Sequence, residues 1–273
     1  MNPKSTPLAF IIILITSILI LLTANCKPLR EFSTWKEYSG SNNYTYSIPH
    51  YDPAKKNIVV IADNEGTEIF DLLAPFYLFN STEKANVFIV SEKKYPIVVR
   101  KGLFILPYFT FKSIDSLNIK ADVIVIPNLS AMNAKGVNSK IVQWIVANHE
   151  PSIKILSICD GALTAAATGL YDGKPLTTHA SDYQHLKKQF PDPHWIKNQS
   201  VTWSENKILY STAGVSNATE GSLVVINDLF GREIMDKVIA EINYPYSIPK
   251  VNHNSVSISW GNKISILKKI VPK

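Results

Sequence analysis

Cysteine is almost missing from this chain of 273 residues, which has two: Cys26, at the end of an apolar N-terminal run, and Cys159, alone in the body. No disulfide can therefore form within the folded part, and Cys159 is expected as a free thiol. Blocks of like charge are missing too. The 28 basic and 22 acidic residues leave a formal net charge of +6, with the basic ones spread as pairs such as Lys187-Lys188 and Lys268-Lys269. Nothing reads as a nucleic-acid arm, so no nucleic-acid partner is expected. His149, His185, His194 and His253 share no metal-like spacing with acids or thiols. No metal and no other cofactor is expected. There is no internal repeat.

Long apolar runs are scarce as well, with one exception. From Leu8 to Leu22 the chain is Ile, Leu, Phe and Ala broken only by Thr16 and Ser17, with Lys4 before it and Lys27 and Arg30 after it. This has the build of an export signal or membrane anchor. Its length falls between a signal core of about 7–15 residues and the ~20 of a spanning helix. "LLTANC", ending at Cys26, resembles a lipoprotein cleavage site. Lipoprotein, uncleaved anchor and cleaved signal stay open; each puts the body on the extracytoplasmic side, with the membrane as a partner.

What is present is a globular body: 46% hydrophobic and 18% charged residues exclude a disordered chain. Residues 1–26 form the signal or anchor. Residues 27–55, rich in Ser, Asn, Tyr and Lys, read as a linker or N-terminal extension. The domain spans 56–245, and 246–273 is a C-terminal extension with a hairpin expected on Gly261-Asn262. Within the domain, "NIVVIAD", "NVFIVSE" and "DVIVIPN" read as buried strands, and "YPIVV" and "LFILP" as short ones. "GTEIFDLLAPFYLF" and "SKIVQWIVANH" carry apolar residues at helical spacing. "DYQHLKKQF" reads as a short helix, "VTWSENKILYSTAG" as two strands around a turn, and "SLVVINDLF" and "IMDKVIA" as two last helices. Apolar strands alternating with helices predict an α/β fold, a doubly wound parallel sheet covered on both faces. Ligands of such sheets sit at the carboxyl ends of the strands.

"ILSICDGALTAAATGL", Ile155 to Leu170, puts Cys159 where an apolar strand turns into a helix of small residues. A side chain at such a turn is held out of the packing beside helix N–H groups, which can lower a thiol's pKa. Asn128 and the segment after Asp63 end strands at the same level. Each residue also has a plainer reading. Cys159 reads as a small buried hydrophobe, Asp71 as an exposed helix carboxylate, His179 as a structural loop residue and Glu68 as a solvated acid.

"SICDGALTAAATGLYDGKPLTTHASDYQHLKKQFP", with "DLLAPFYLF" before it and "ILYSTAG" after it, resembles the DJ-1/PfpI superfamily of the glutamine amidotransferase-like class. Its pattern is similar to the branch of the isonitrile hydratases and the amidase-like domains of AraC-type regulators. The resemblance covers roughly Asn57 to Pro245 and implies a flavodoxin-like sandwich. It implies that Cys159 is an elbow nucleophile and that Asp71 hydrogen-bonds it and trades a proton with it. It places His179 near the thiol, holds Glu68 in reserve one helical turn before Asp71, and makes the backbone N–H groups of Asp160 and Leu129 the oxyanion donors. Four positions, in three segments, depart from the pattern. Pro127-Asn128-Leu129 replaces Pro-Gly-Gly, Asp160 stands where threonine follows the cysteine, and Ala74 replaces a glycine. A carboxylate at Asp160 should raise the thiol's pKa.

Two functions follow from the resemblance. One is a cysteine-dependent hydratase, hydrolase or glyoxalase-like lyase acting on a small electrophile. The other is a ligand-binding or redox-sensing module that has lost the chemistry and has no DNA-binding domain. Either takes a small molecule as partner. Dimerisation is common in the superfamily, although no homodimer interface can be read from the residues.

Overall fold

Alternation along the strands builds two cores, one on each side of a single sheet. A computed structural model describes residues 38–41, 47, 50–100, 102–129 and 137–245. The apolar run Leu8–Leu22, Cys26 and the expected Gly261-Asn262 hairpin lie outside the described residues. Among the described residues no helix is long and apolar enough to cross a membrane.

The strands are β1 (Lys56–Ala62), β2 (Ala85–Ser91), β3 (Ile97–Arg100), β4 (Leu103–Ile105), β5 (Phe109–Thr110), β6 (Val123–Ile126), β7 (Lys154–Ile158), β8 (Pro175–Leu176), β9 (His194–Trp195), β10 (Val201–Trp203) and β11 (Leu209–Thr212). The helices are α1 (Ile69–Ser81), α2 (Phe111–Ser116), α3 (Ser139–Asn148), α4 (Gly161–Ala167), α5 (Tyr183–Gln189), α6 (Asn217–Phe230) and α7 (Arg232–Glu241). Seven strands form the main sheet in the order β10-β11-β7-β6-β1-β2-β5. Every pairing in it is parallel except β10 with β11 at the edge. The doubly wound parallel sheet predicted from the sequence is present. β3 with β4 and β8 with β9 make two small separate sheets.

Period-2 geometry sends neighbouring side chains to opposite faces. Val59, Ile61, Phe88, Ile124, Ile126 and Ile155 point to one core, against Phe111, Trp144 and Ala162 of α2, α3 and α4. Ile58, Val60, Val87, Val125, Leu156 and Ile158 point to the other, against Leu72, Leu223 and Met235 of α1, α6 and α7. Full burial of each such side chain contributes about 1.5–3 kcal/mol, which makes these two layers the main stabilising term.

The sheet's polarity positions the site. β1, β6 and β7 are parallel, so their carboxyl ends lie side by side at Ala62, Ile126 and Ile158. The segments leaving those ends carry Glu68 and Asp71, Asn128, and Cys159. The sequence placed these three separated pieces at one crevice, and the topology does the same.

Candidate active site

The turn after β7 is set by what Gly161 must avoid. A Cβ built on Gly161 would lie 2.1 Å from the Ile126 carbonyl oxygen and 2.8 Å from that of Pro127. Only glycine lets the start of α4 approach the end of β6 so closely. Between β7 and α4, Cys159 takes a φ of +54°, in the left-handed region. For a non-glycine residue this costs on the order of 1–3 kcal/mol, and such strain collects at functional sites. The Cys159 N–H donates to the Thr212 carbonyl at 3.1 Å, which fixes the bend to the neighbouring strand. The elbow expected at Cys159 is therefore present in the backbone.

Cys159 is a free thiol, 3% exposed. Its pKa lies well above the ordinary thiol value, raised first by burial, then by the charges of Asp160 and Asp71, with Glu68 adding a smaller push. A hydrogen bond from the Asp160 backbone N–H pulls the other way. The low pKa that a helix start can give is not realised here. α4 is short, and burial among carboxyl groups outweighs one donated N–H.

Asp71 is fully buried in the first turn of α1. Glu68 caps that helix by accepting the Asp71 N–H at 2.8 Å. The Asp71 Oδ2 accepts the Asn128 N–H at 3.0 Å, whereas its Oδ1 is buried without a hydrogen-bond partner. Burial raises the Asp71 pKa well above the carboxylate range; the Glu68 charge adds to this and the Asn128 N–H opposes it. The environment of Asp71 thus favours the protonated carboxyl. The reading of Asp71 as an exposed helix acid does not survive its burial.

Asn128 ties the end of β6 to the start of α1. Its carbonyl accepts the Glu68 N–H at 2.9 Å while its own N–H is given to Asp71. Its Oδ1 is also buried and unpartnered. Leu129, the expected second oxyanion donor, lies opposite Thr67 in an antiparallel bridge and is 2% exposed. The Asp160 N–H is the donor that reaches the sulfur.

His179 stands in a different set of contacts from the one expected. Its side chain is 48% exposed, and its Nδ1 lies 2.7 Å from the Ser181 hydroxyl and 3.7 Å from the Asp182 carboxylate. That pairing raises its pKa, and Asp160 adds to the rise. The charges that act on the sulfur come from Asp160, Asp71 and Glu68; His179 acts on Asp160. Thr178, just before it, donates to the Asp160 Oδ1 at 2.9 Å. Ser181 donates to Asp182 in a short hydrogen bond. The sequence reading did not single out Thr178 or Asp182. Both lie in the quoted "TTHASD", and the His179 to Asp182 spacing of three was the signal available.

Residues 55–226 match the profile of the DJ-1/PfpI family. The isonitrile hydratase of Pseudomonas putida is 24% identical over 179 residues, 66% of this chain and 75% of that protein. DJ-1beta of Drosophila melanogaster superposes with a TM-score of 0.61 at 22% identity, over 70% of this chain and 100% of that one. A ThiJ/PfpI family protein from Pseudomonas syringae gives 0.63 at 19% identity, over 83% and 93%. The fold is the flavodoxin-like sandwich of those structures. The chain belongs to the DJ-1/PfpI family.

Proposed function

We propose that this protein is a cysteine-dependent enzyme that adds water to a small, uncharged carbon electrophile, with Cys159 as nucleophile and Asp71 as proton donor. The observation that carries the reading is the pairing of a strained, buried Cys159 with a fully buried Asp71 whose Oδ2 accepts the Asn128 N–H. Likeness to an isonitrile hydratase supports a carbon–nitrogen multiple bond as the group attacked. Sγ bonds to the carbon while the Asp71 carboxyl gives its proton to the substrate, and the thiol proton replaces it on Asp71. Water then adds to the same carbon while Asp71 passes its proton to the nitrogen and takes one from the water; the C–S bond breaks, Asp71 gives its proton to the sulfur, and the new hydroxyl gives its own proton back to Asp71 as the carbonyl forms. Nothing is oxidised or reduced; the sum is one water added. A buried carboxyl whose pKa is raised well above the carboxylate range is suited to this, because burial favours the form that carries the proton. The Asp160 N–H faces the developing charge.

A second reading, a ligand-binding module without turnover, draws on the raised thiol pKa and the covered sulfur. Those same features disfavour redox sensing, which needs an accessible thiolate. Formamide release from a small alkyl isonitrile, followed by NMR, separates the readings. Turnover by the wild type that is lost in Cys159→Ala supports the enzyme. No turnover, with ligand-induced stabilisation unchanged in Cys159→Ala, supports the binding module. Placement on the extracytoplasmic side rests on Leu8–Leu22 and "LLTANC", and membrane fractionation with N-terminal mass analysis tests it.

A further inference from the structure

An apolar strand open on both faces does not fit a surface that meets only water. β4 reads Leu103, Phe104, Ile105 and pairs with β3 alone among the described residues. Leu103 is 45% exposed and Phe104 37%, although period-2 geometry points them to opposite faces. β4 stands off the core. Its register gives its place: Phe104 lies opposite Val98, whose carbonyl accepts the Thr67 N–H at 2.8 Å and whose own N–H donates to the Asn64 carbonyl at 3.2 Å. Asn64 and Thr67 belong to the loop that leaves the carboxyl end of β1, and Thr67 bridges to Leu129 at the candidate site. Phe70, 62% exposed, follows the same loop. Lys93 and Lys94 are exposed on a turn that Asn64 ties down, its Nδ2 donating to the carbonyls of Lys93 at 3.1 Å and Tyr95 at 2.7 Å. They outnumber Glu65, the exposed acid of the loop. Apolar side chains with cations beside them, at one end of the domain, match the chemistry of a phospholipid surface.

The course of the chain argues for the same occupant. Asp52 is held at the amino end of β2, where its N–H donates to the Asn86 Oδ1 at 3.1 Å and its carbonyl accepts the Asn86 Nδ2 at 2.8 Å. Tyr38 nevertheless meets Phe104 edge to face, with ring centroids 5.1 Å apart. Between Asp52 and Tyr38 the chain has crossed from the amino end of the sheet to β4. Cys26 stands 12 positions before Tyr38, about 40 Å of chain at full extension. Leu29, Phe32 and Trp35 fall within that stretch of sequence, and such side chains favour a membrane–water interface.

We propose that Leu103 and Phe104 of β4, with the neighbouring Phe70, contact the phospholipid surface in which the N-terminal run is held, so that the carboxyl-end crevice faces the bilayer. The proposal rests on reading Leu8–Leu22, with Cys26, as the attachment to the membrane. A tether that meets the domain at β4 keeps that end nearest the lipid. Contact there removes the apolar surface of β4 from water.

The test places the full chain in vesicles of phosphatidylcholine and phosphatidylglycerol that contain a phosphatidylcholine with a photoreactive diazirine in its acyl chain. Flotation of the vesicles reports the attachment, and peptide mass spectrometry after illumination reports the face. The chain should float, with lipid adducts on the peptide that holds Leu103–Ile105 and none on the turn 204–208, which lies at the amino end of the sheet between β10 and β11. Leu103→Ser combined with Phe104→Ser should float as well but lose the β4 adducts. Flotation with adducts confined to peptides before Tyr38 would overturn the proposal and leave the attachment standing. Failure to float would overturn both. A dimer in detergent whose β4 peptide takes no lipid in vesicles would assign this surface to a second copy, and overturn the proposal too. The wild-type adduct map decides alone should the double variant not fold.

Discussion

Asp71 is the residue at which burial, charge and chemistry meet. Replacing it with asparagine keeps a carbonyl oxygen for the Asn128 N–H and removes the proton, so stability should change little. Turnover should fall by about a hundredfold or more, as for loss of a positioned general acid. A melting curve beside a steady-state assay checks both parts. Some of this site was legible in the residues. Cys159 stood at a strand-to-helix junction, and Asp71 sat in a helix that leaves the same edge of the sheet. Their mutual burial was not legible, because it depends on the approach of Asn128 from a third segment. His179 illustrates the same limit. The sequence placed it near the thiol, but its side-chain contacts are with Ser181 and Asp182, and its charge acts on Asp160.

At the scale of elements, the elbow depends on β6 and α4 lying almost in contact. Gly161→Ala would drive a methyl group into the Ile126 and Pro127 carbonyls, backbone atoms that cannot rotate away. Overpacking of this kind should cost about 2–3 kcal/mol, measured by urea unfolding. It should abolish activity with Cys159 chemically intact. The start of α1 is a milder case. Glu68→Ala removes the cap on the Asp71 N–H, at about 1 kcal/mol. It also removes a charge that keeps Asp71 protonated, so the pH limit of activity set by Asp71 should move down. The long apolar strands and the α1 and α3 periodicities were readable because they repeat. β5, with 2 residues, and α2, with 6, were not, since neither completes a pattern. What marks α2 is its capping box, Thr110 with Ser113, and that is a local signal of a different kind. The "SENK" turn did announce the β10–β11 pair, now seen as the antiparallel edge of the sheet.

For the whole molecule, buried acids link folding to pH. Asp160 binds its proton up to about pH 7 when folded but only up to about 3.8 when unfolded, and Asp71 is shifted in the same direction. The folded state therefore holds the Asp160 proton between these limits, and its contribution to stability falls as pH rises from about 4 to about 7, with Asp71 acting in the same direction. Relative to Asp160→Asn, the wild type should lose stability across that window, by at most about 1.4 kcal/mol per pH unit. Denaturant titrations of both at pH 4, 5.5 and 7 give the comparison; parallel curves would mean that Asp160 is not protonated in the fold. The account stands above all on Cys159 forming a bond to substrate carbon. Intact-protein and peptide mass spectrometry after brief exposure to a small alkyl isonitrile measures that bond. The account predicts an adduct with the mass of one isonitrile on the Cys159 peptide, transient in the wild type and absent in Cys159→Ala. Formamide production without any adduct on Cys159, or equal production by Cys159→Ala, would contradict it.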